Sequence, residues 1–237
     1  MLNYARAELK QSAKTRLNGN WGLNIVVVLF VVVIPAVVLG IVDGVLQLCA
    51  ALTSEVGSDG GAALISLLSS LVNLGATILF LGPLTVAYNW FSLVFMRGQT
   101  PDYVYPYRTA FSEVNYMRFM LTYFMMQLFI FLWSLLFIIP GIVKSFSYAM
   151  TPFILMDHPE MEWKEAITES RRLMDGHKGD LFVLYLSFIP WLLLTCLTMG
   201  ILLIYVTPYM QMTVANFYRG LKEEDIGVTR ALPNQTM

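Results

Sequence analysis

Chemistry in a protein chain needs a base, a nucleophile or a set of metal ligands, and this chain offers few. Its two histidines, His158 and His177, are nineteen residues apart in one charged internal stretch, Asp157 to Asp180. Asp157-His158-Pro159-Glu160 sets two carboxylates beside an imidazole, a combination able to ligate a metal. The same residues read more simply as a loop before a helix with Glu near its start, which suits the helix dipole. Gly176-His177-Lys178-Gly179 carries a lysine and free backbone amides suited to a phosphate such as a lipid headgroup. Its plainer meaning is a helix C-cap with basic residues at a membrane surface. No HExxH motif and no Walker glycine loop occurs. Cys49 and Cys196 lie near the ends of different apolar runs, too far apart in sequence for a zinc or CxxC pattern, and are expected to pack as apolar side chains rather than pair. The expectation is a non-enzyme with no catalytic residue, no cofactor and no metal.

Ion-coupled transport leaves ionisable groups near a membrane midplane, because a charge retained there is costly. None is expected here. Neutral polar residues do recur: Ser66, Ser70, Asn73 and Thr77 follow spacings of four, three and four, and Thr85, Asn89 and Ser92 extend the row. Such a face lets a neighbouring helix approach and bond across the interface. A water-filled path along the same face is the sharper alternative. Lys144 is expected at the outer side, where it either snorkels to headgroups or pairs with Asp43.

The elements that position these residues follow from composition. Of 237 residues 57% are hydrophobic and only 13% charged, against roughly a quarter charged in soluble domains. The mean hydropathy is +0.64. The fold expected is all-α: a polytopic transmembrane helical bundle of about six spans, plus amphipathic cytoplasmic helices. A net charge of -1 with no Lys/Arg-rich run gives no attraction for nucleic acid.

Residues 2–18 place Leu2, Ala5, Leu9, Ala13 and Leu17 on one stripe, with Arg6, Lys10 and Lys14 outside it. That is an amphipathic N-terminal helix, lying on anionic lipid or packed on the protein's own loops. A first span at 23–42, with Pro35 as a kink, is too long for a signal-peptide core and reads as uncleaved. Residues 62–96 would form a helix of about 50 Å, longer than a hydrocarbon core of about 30 Å. Splitting it at Gly82-Pro83 leaves a second piece too short to cross, so one helix kinked there is expected. Further spans are expected at 119–139, 142–156, 181–198 and 201–217, with Pro140-Gly141 as the tight turn between the first two of these. Segment 157–180 carries an amphipathic helix whose stripe is Ala166, Ile167, Ser170, Leu173 and Met174, and 219–237 is a polar tail. With both termini inside, all the lysines and arginines except Lys144 fall on the cytoplasmic side.

Several motifs follow in order: Gly19-Asn20-Trp21, Leu132-Trp133, Ile139 to Ile142, Ser147-Tyr148, Ala166 to Lys178, Leu186 to Trp191 and Pro208-Tyr209. Together they resemble a family of bacterial integral membrane proteins known by the label DUF975. The resemblance implies a multi-pass membrane protein and brings no activity with it.

The functional expectation is a non-enzymatic membrane scaffold or accessory subunit in the cell membrane. The alternative is a transporter or exporter of a small neutral or lipidic solute. Expected partners are membrane lipids and either another membrane protein or a second copy of the chain. Arg6, Lys10, Lys14, Arg171, Arg172, His177 and Lys178 are the residues expected to contact lipid or partner.

Overall fold

The computed structural model describes residues 6–55 and 59–231, and the chain is all-α, with no strand among the described residues. Nine helices follow in order: α1 Arg6–Leu17, α2 Trp21–Glu55, α3 Gly60–Met96, α4 Tyr105–Ala110, α5 Tyr116–Leu136, α6 Ile138–Asp157, α7 Trp163–Leu173, α8 Lys178–Leu197 and α9 Leu203–Ala231. Five of them, α2, α3, α5, α6 and α8, are long and apolar enough to cross a membrane. The stretch expected as a sixth span, 201–217, is the first part of α9 and is not among them. Thr207, Pro208, Gln211, Thr213 and Asn216 interrupt its apolar character.

Helices α2 and α3 form a long antiparallel hairpin, and each widens by a π-helical turn, Leu29–Val33 in α2 and Thr77–Leu81 in α3. Each turn stands just before a proline, Pro35 or Pro83. A proline inside a helix supplies no N–H, so a carbonyl one turn earlier loses its partner. In α2 the Ile34 N–H bonds back to the Leu29 carbonyl. The next carbonyl, Phe30, would need the N–H of Pro35; it accepts instead from the Tyr107 hydroxyl at 2.6 Å. In α3 the Leu79 carbonyl, four residues before Pro83, accepts from the Tyr116 hydroxyl at 3.2 Å. The segment around α4 thus braces both π-helical turns, and its rings continue the contact, Tyr103 against Phe30 and Phe111 against Phe80.

Beyond these turns the hairpin packs chiefly on itself and leaves Val37, Val38, Ile41, Val45 and Leu48 of α2 exposed. Leu64, Leu67, Leu68, Leu71 and Leu74 of α3 are exposed as well. Below them the chain is a packed body. Nearly every residue of Gly82–Met96 is buried, including Phe91, Leu93 and Phe95, and α4, α5, α6 and α9 pack around it.

In α1, Leu9, Ala13 and Leu17 are buried and the helix packs on α9, so of the two expected placements, on lipid or on the protein itself, the stripe takes the second. The Leu9 carbonyl accepts from Asn216 Nδ2 of α9. Leu2, Ala5 and the Arg6 side chain lie outside the described residues, as do 56–58 of the connecting loop and 232–237 of the tail.

The tight turn expected at Pro140-Gly141 falls earlier. The chain is extended at Phe137 (φ -157°, ψ 142°), and Pro140 lies in the first turn of α6. The first-turn N–H groups of a helix have no intrahelical acceptor, so a proline there costs nothing. Gly141 lets α6 close on α5: a Cβ at that position would meet Ser134 Cα at 2.9 Å.

Helix α7 begins with a reciprocal capping box between Glu162 and Glu165 and ends before Gly176, whose φ of +80° favours glycine. Ala166, Ile167, Ser170 and Met174 of its expected stripe are buried, with Leu173 partly so.

Candidate functional site

The densest polar arrangement is centred on Asp157, the last residue of α6, whose side chain is only 5% exposed. Arg97, just past α3, donates to Oδ1 at 2.6 Å. From α9, Tyr218 and Lys222 donate to Oδ2 at 2.8 and 2.6 Å. Around it, Arg219 donates to the Met96 carbonyl, and Arg16 of α1 donates to the Phe95 and Gln99 carbonyls. Guanidinium groups at the C-terminal end of α3 satisfy its last carbonyls and oppose its dipole. Both oxygens of Asp157 are occupied, so the geometry is that of a clamp joining α1, α3, α6 and α9, with no open face for a substrate.

His158 points away from this clamp and meets Glu160 at 3.1 Å, both exposed, while its carbonyl accepts from Arg118 at 2.8 Å. No group of three or more His, Cys, Asp or Glu among the described residues could hold a metal. Cys49 and Cys196 are both free and exposed.

A second clamp joins α7 to α9. Arg172 reaches Glu169 through Nε and Nη2 at 2.8 and 2.6 Å, and Asp225 through Nη1 and Nη2 at 2.9 and 3.0 Å. Those hydrogen bonds hold both carboxyls below their ordinary pKa values. Arg172, expected as a lipid or partner contact, bonds within the chain while remaining 55% exposed, and its neighbour Arg171 is exposed too. His177 occupies the N-cap of α8, with Nδ1 3.4 Å from Asp180, and Lys178 lies 3.8 Å from Asp175. Lys10 donates to the Ser187 carbonyl at 3.1 Å and stands 4.2 Å from the Phe188 ring centre. Burial there pushes its pKa down. Lys14, one turn on, is exposed.

The polar row in α3 divides. Ser70, Thr85, Asn89 and Ser92 bond back to carbonyls of their own helix, four residues earlier. Ser66 and Thr77 are partly buried. Only Asn73 of this row bonds across the hairpin, donating to Asp43 Oδ1 at 2.9 Å. Its partner in that task is Ser69, fully buried, which donates to the same oxygen at 2.5 Å. Ser69 lies one position off the row that spacing singled out. A carboxylate in an apolar run demands donors, and the i,i+4 pair Ser69/Asn73 on the facing helix is the signal for them.

Asp43 and Lys144 are not a pair. Lys144 stands over the Trp133 ring at 4.6 Å, and its charged neighbours are Arg171 and Lys178, so it faces α7 and α8 rather than the outer hairpin. The break at Phe137 explains the difference, because it starts α6 early and carries Lys144 well into the helix.

Architecture and site together define an all-α protein with five apolar helices of spanning length, clamped at one end by ion pairs. A family model described as a protein of unknown function, DUF975, matches residues 1–145 and 138–225, and the chain belongs to that family. No curated protein and no solved structure gives a significant match.

Proposed function

We propose that this is a multi-pass cell-membrane protein acting as a non-catalytic scaffold or accessory subunit. The observation that carries this reading is the outer α2–α3 hairpin. It is apolar on its flanks and satisfies the Asp43 carboxylate internally, and its own chain leaves it largely uncovered. In the most apolar window of α3 only 6% of residues are buried, and in that of α2 17%. Such an arm needs lipid or another membrane helix around it.

The Asp157 clamp supports a topology. Arg16, Arg97, Asp157 and Lys222 meet at one end of the molecule. The chain between any two of them therefore returns to the same side: out by α2 and back by α3, out by α5 and back by α6, then into the bilayer by α8 and back by the first part of α9, which is less apolar than the five helices of spanning length. Arg108, Arg118, Arg171, Arg172, Lys178 and Arg219 belong to the same end, which is the cytoplasmic one by the positive-inside rule. Both termini are then cytoplasmic.

In a cysteine-free background, Ser54→Cys is expected to react with an impermeant reagent added outside cells, and Gln99→Cys only after the membrane is opened. The reverse pattern removes the topology. Photo-crosslinkers at Leu67 and Leu71 are expected to trap one protein at fixed stoichiometry, either a second copy or another membrane protein. Trapping lipid alone removes the scaffold reading.

A further inference from the structure

A cleft of about 400 Å³ opens between α1, the start of α2, α8 and α9. Lys14, Trp21, Trp191, Leu202, Tyr205 and Tyr209 line it. The rings are arranged in pairs: Trp21 lies 5.7 Å from Tyr205, and Trp191 meets Tyr209 edge-on at 6.5 Å. Yet Trp191 remains 44% exposed and Tyr205 51%, so large aromatic faces border the opening without being covered. Leu202 leads directly into Ile201 and Met199, which are exposed and apolar.

Lys14 is the one charged side chain in this lining, no carboxylate shares it, and no salt bridge among the described residues involves it. Lys10, on the same face of α1, is occupied by the Ser187 carbonyl and the Phe188 ring. A single free ammonium beside aromatic and aliphatic walls matches a ligand with one anionic group and a hydrocarbon body. Tryptophan and tyrosine also concentrate where headgroups meet acyl chains.

We propose that this cleft binds one anionic phospholipid, with its phosphate on Lys14 and the start of an acyl chain along Trp191 and Leu202. A zwitterionic headgroup fits less well, because its cationic end would find a lysine and no carboxylate. The assignment rests on the membrane reading above and adds a defined lipid site to it.

The test uses the full chain in nanodiscs of phosphatidylcholine doped with a minor fraction of brominated lipid, which quenches nearby tryptophan fluorescence. Brominated phosphatidylglycerol is expected to quench more than brominated phosphatidylcholine at equal fraction. The excess should fall in Trp191→Phe and disappear when Trp21→Phe is added to it, fall about fivefold in apparent affinity in Lys14→Gln, and persist in Lys14→Arg. Inorganic phosphate at matched concentration should not displace it, because the hydrocarbon contact is part of the recognition. Equal quenching by both lipids overturns the site while leaving the membrane reading intact. An excess that survives Lys14→Gln, or that phosphate abolishes, also overturns it. Absence of quenching by either lipid would overturn the membrane reading with it. Lys14 is exposed and unpaired, so its variants should melt like the parent.

Discussion

The Ser170 hydroxyl of α7 donates to the Ser147 carbonyl at 2.8 Å and accepts from the Met150 N–H at 3.2 Å, filling the break in α6 between Tyr148 and Thr151. All three groups are buried. One side chain therefore replaces two missing helix bonds and fixes where α7 docks. Ser170→Ala leaves a buried donor and a buried acceptor unpaired, each costing about 1–3 kcal/mol. A thermal melt in nanodiscs should fall by several degrees, with hydrogen exchange rising at 149–151 and not in α3.

Asp157→Asn removes the charge that neutralises Arg97 and Lys222. Breaking a buried pair costs about 3–5 kcal/mol, and the expected loss here is about 2–3, because Arg97 and Lys222 are 37% and 35% exposed and water shares the work. Adding Lys222→Met to Asp157→Asn should cost less than Lys222→Met alone, since the lysine has already lost its partner. Additive losses in the melts would show that the two residues do not act as one clamp.

Much of this frame is readable from local pattern. Apolar run length marks the long helices, Pro35 and Pro83 each follow a π-helical turn, and the 9/13/17 and 166/167/170/174 stripes mark faces that are buried. What local pattern does not contain is pairing at long range. Arg97 and Lys222 are 60 and 65 residues from Asp157, and nothing in their spacing points to it. Pro140-Gly141 misleads for a physical reason: the pair has turn composition, but a proline is equally at home in a helix's first turn, and Gly141 serves close packing. The aromatic cleft is built from four separate segments, and although Trp21, Trp191 and Tyr209 each stand in a motif of their own, nothing in those motifs shows that the three meet.

Gly82 and Gly141 both permit close contacts, with different neighbours. A Cβ on Gly82 would meet the Tyr123 ring at 2.6 Å, whereas on Gly141 it meets the Ser134 backbone. Gly82→Ala should therefore be rescued by shortening Tyr123 to Ala, which removes both close ring atoms. Gly141→Ala should stay destabilised, by about 1–3 kcal/mol, even with Ser134→Ala, because backbone cannot step aside. Paired melts of the single and double variants decide it.

The Glu169–Arg172–Asp225 clamp gives α7 a dependence on acidity. Both carboxyls titrate below their ordinary values, so they bind protons more weakly folded than unfolded. Their contribution is full above about pH 5 and is lost as the pH falls below about 4. Hydrogen exchange across 163–173 should accelerate in that window, and Arg172→Gln should show fast exchange already at neutral pH.

The two phenols that fill the orphaned carbonyls of Phe30 and Leu79 come from one short stretch, yet they hold two different helices at their π-helical turns. Mechanically, that makes the stretch a fulcrum. The limb beyond it, Ile34–Glu55, is about 33 Å long, so a tilt of about 10° at those turns carries its tip by about 6 Å. Two hydroxyl groups thus fix the point at which that limb leaves the packed body.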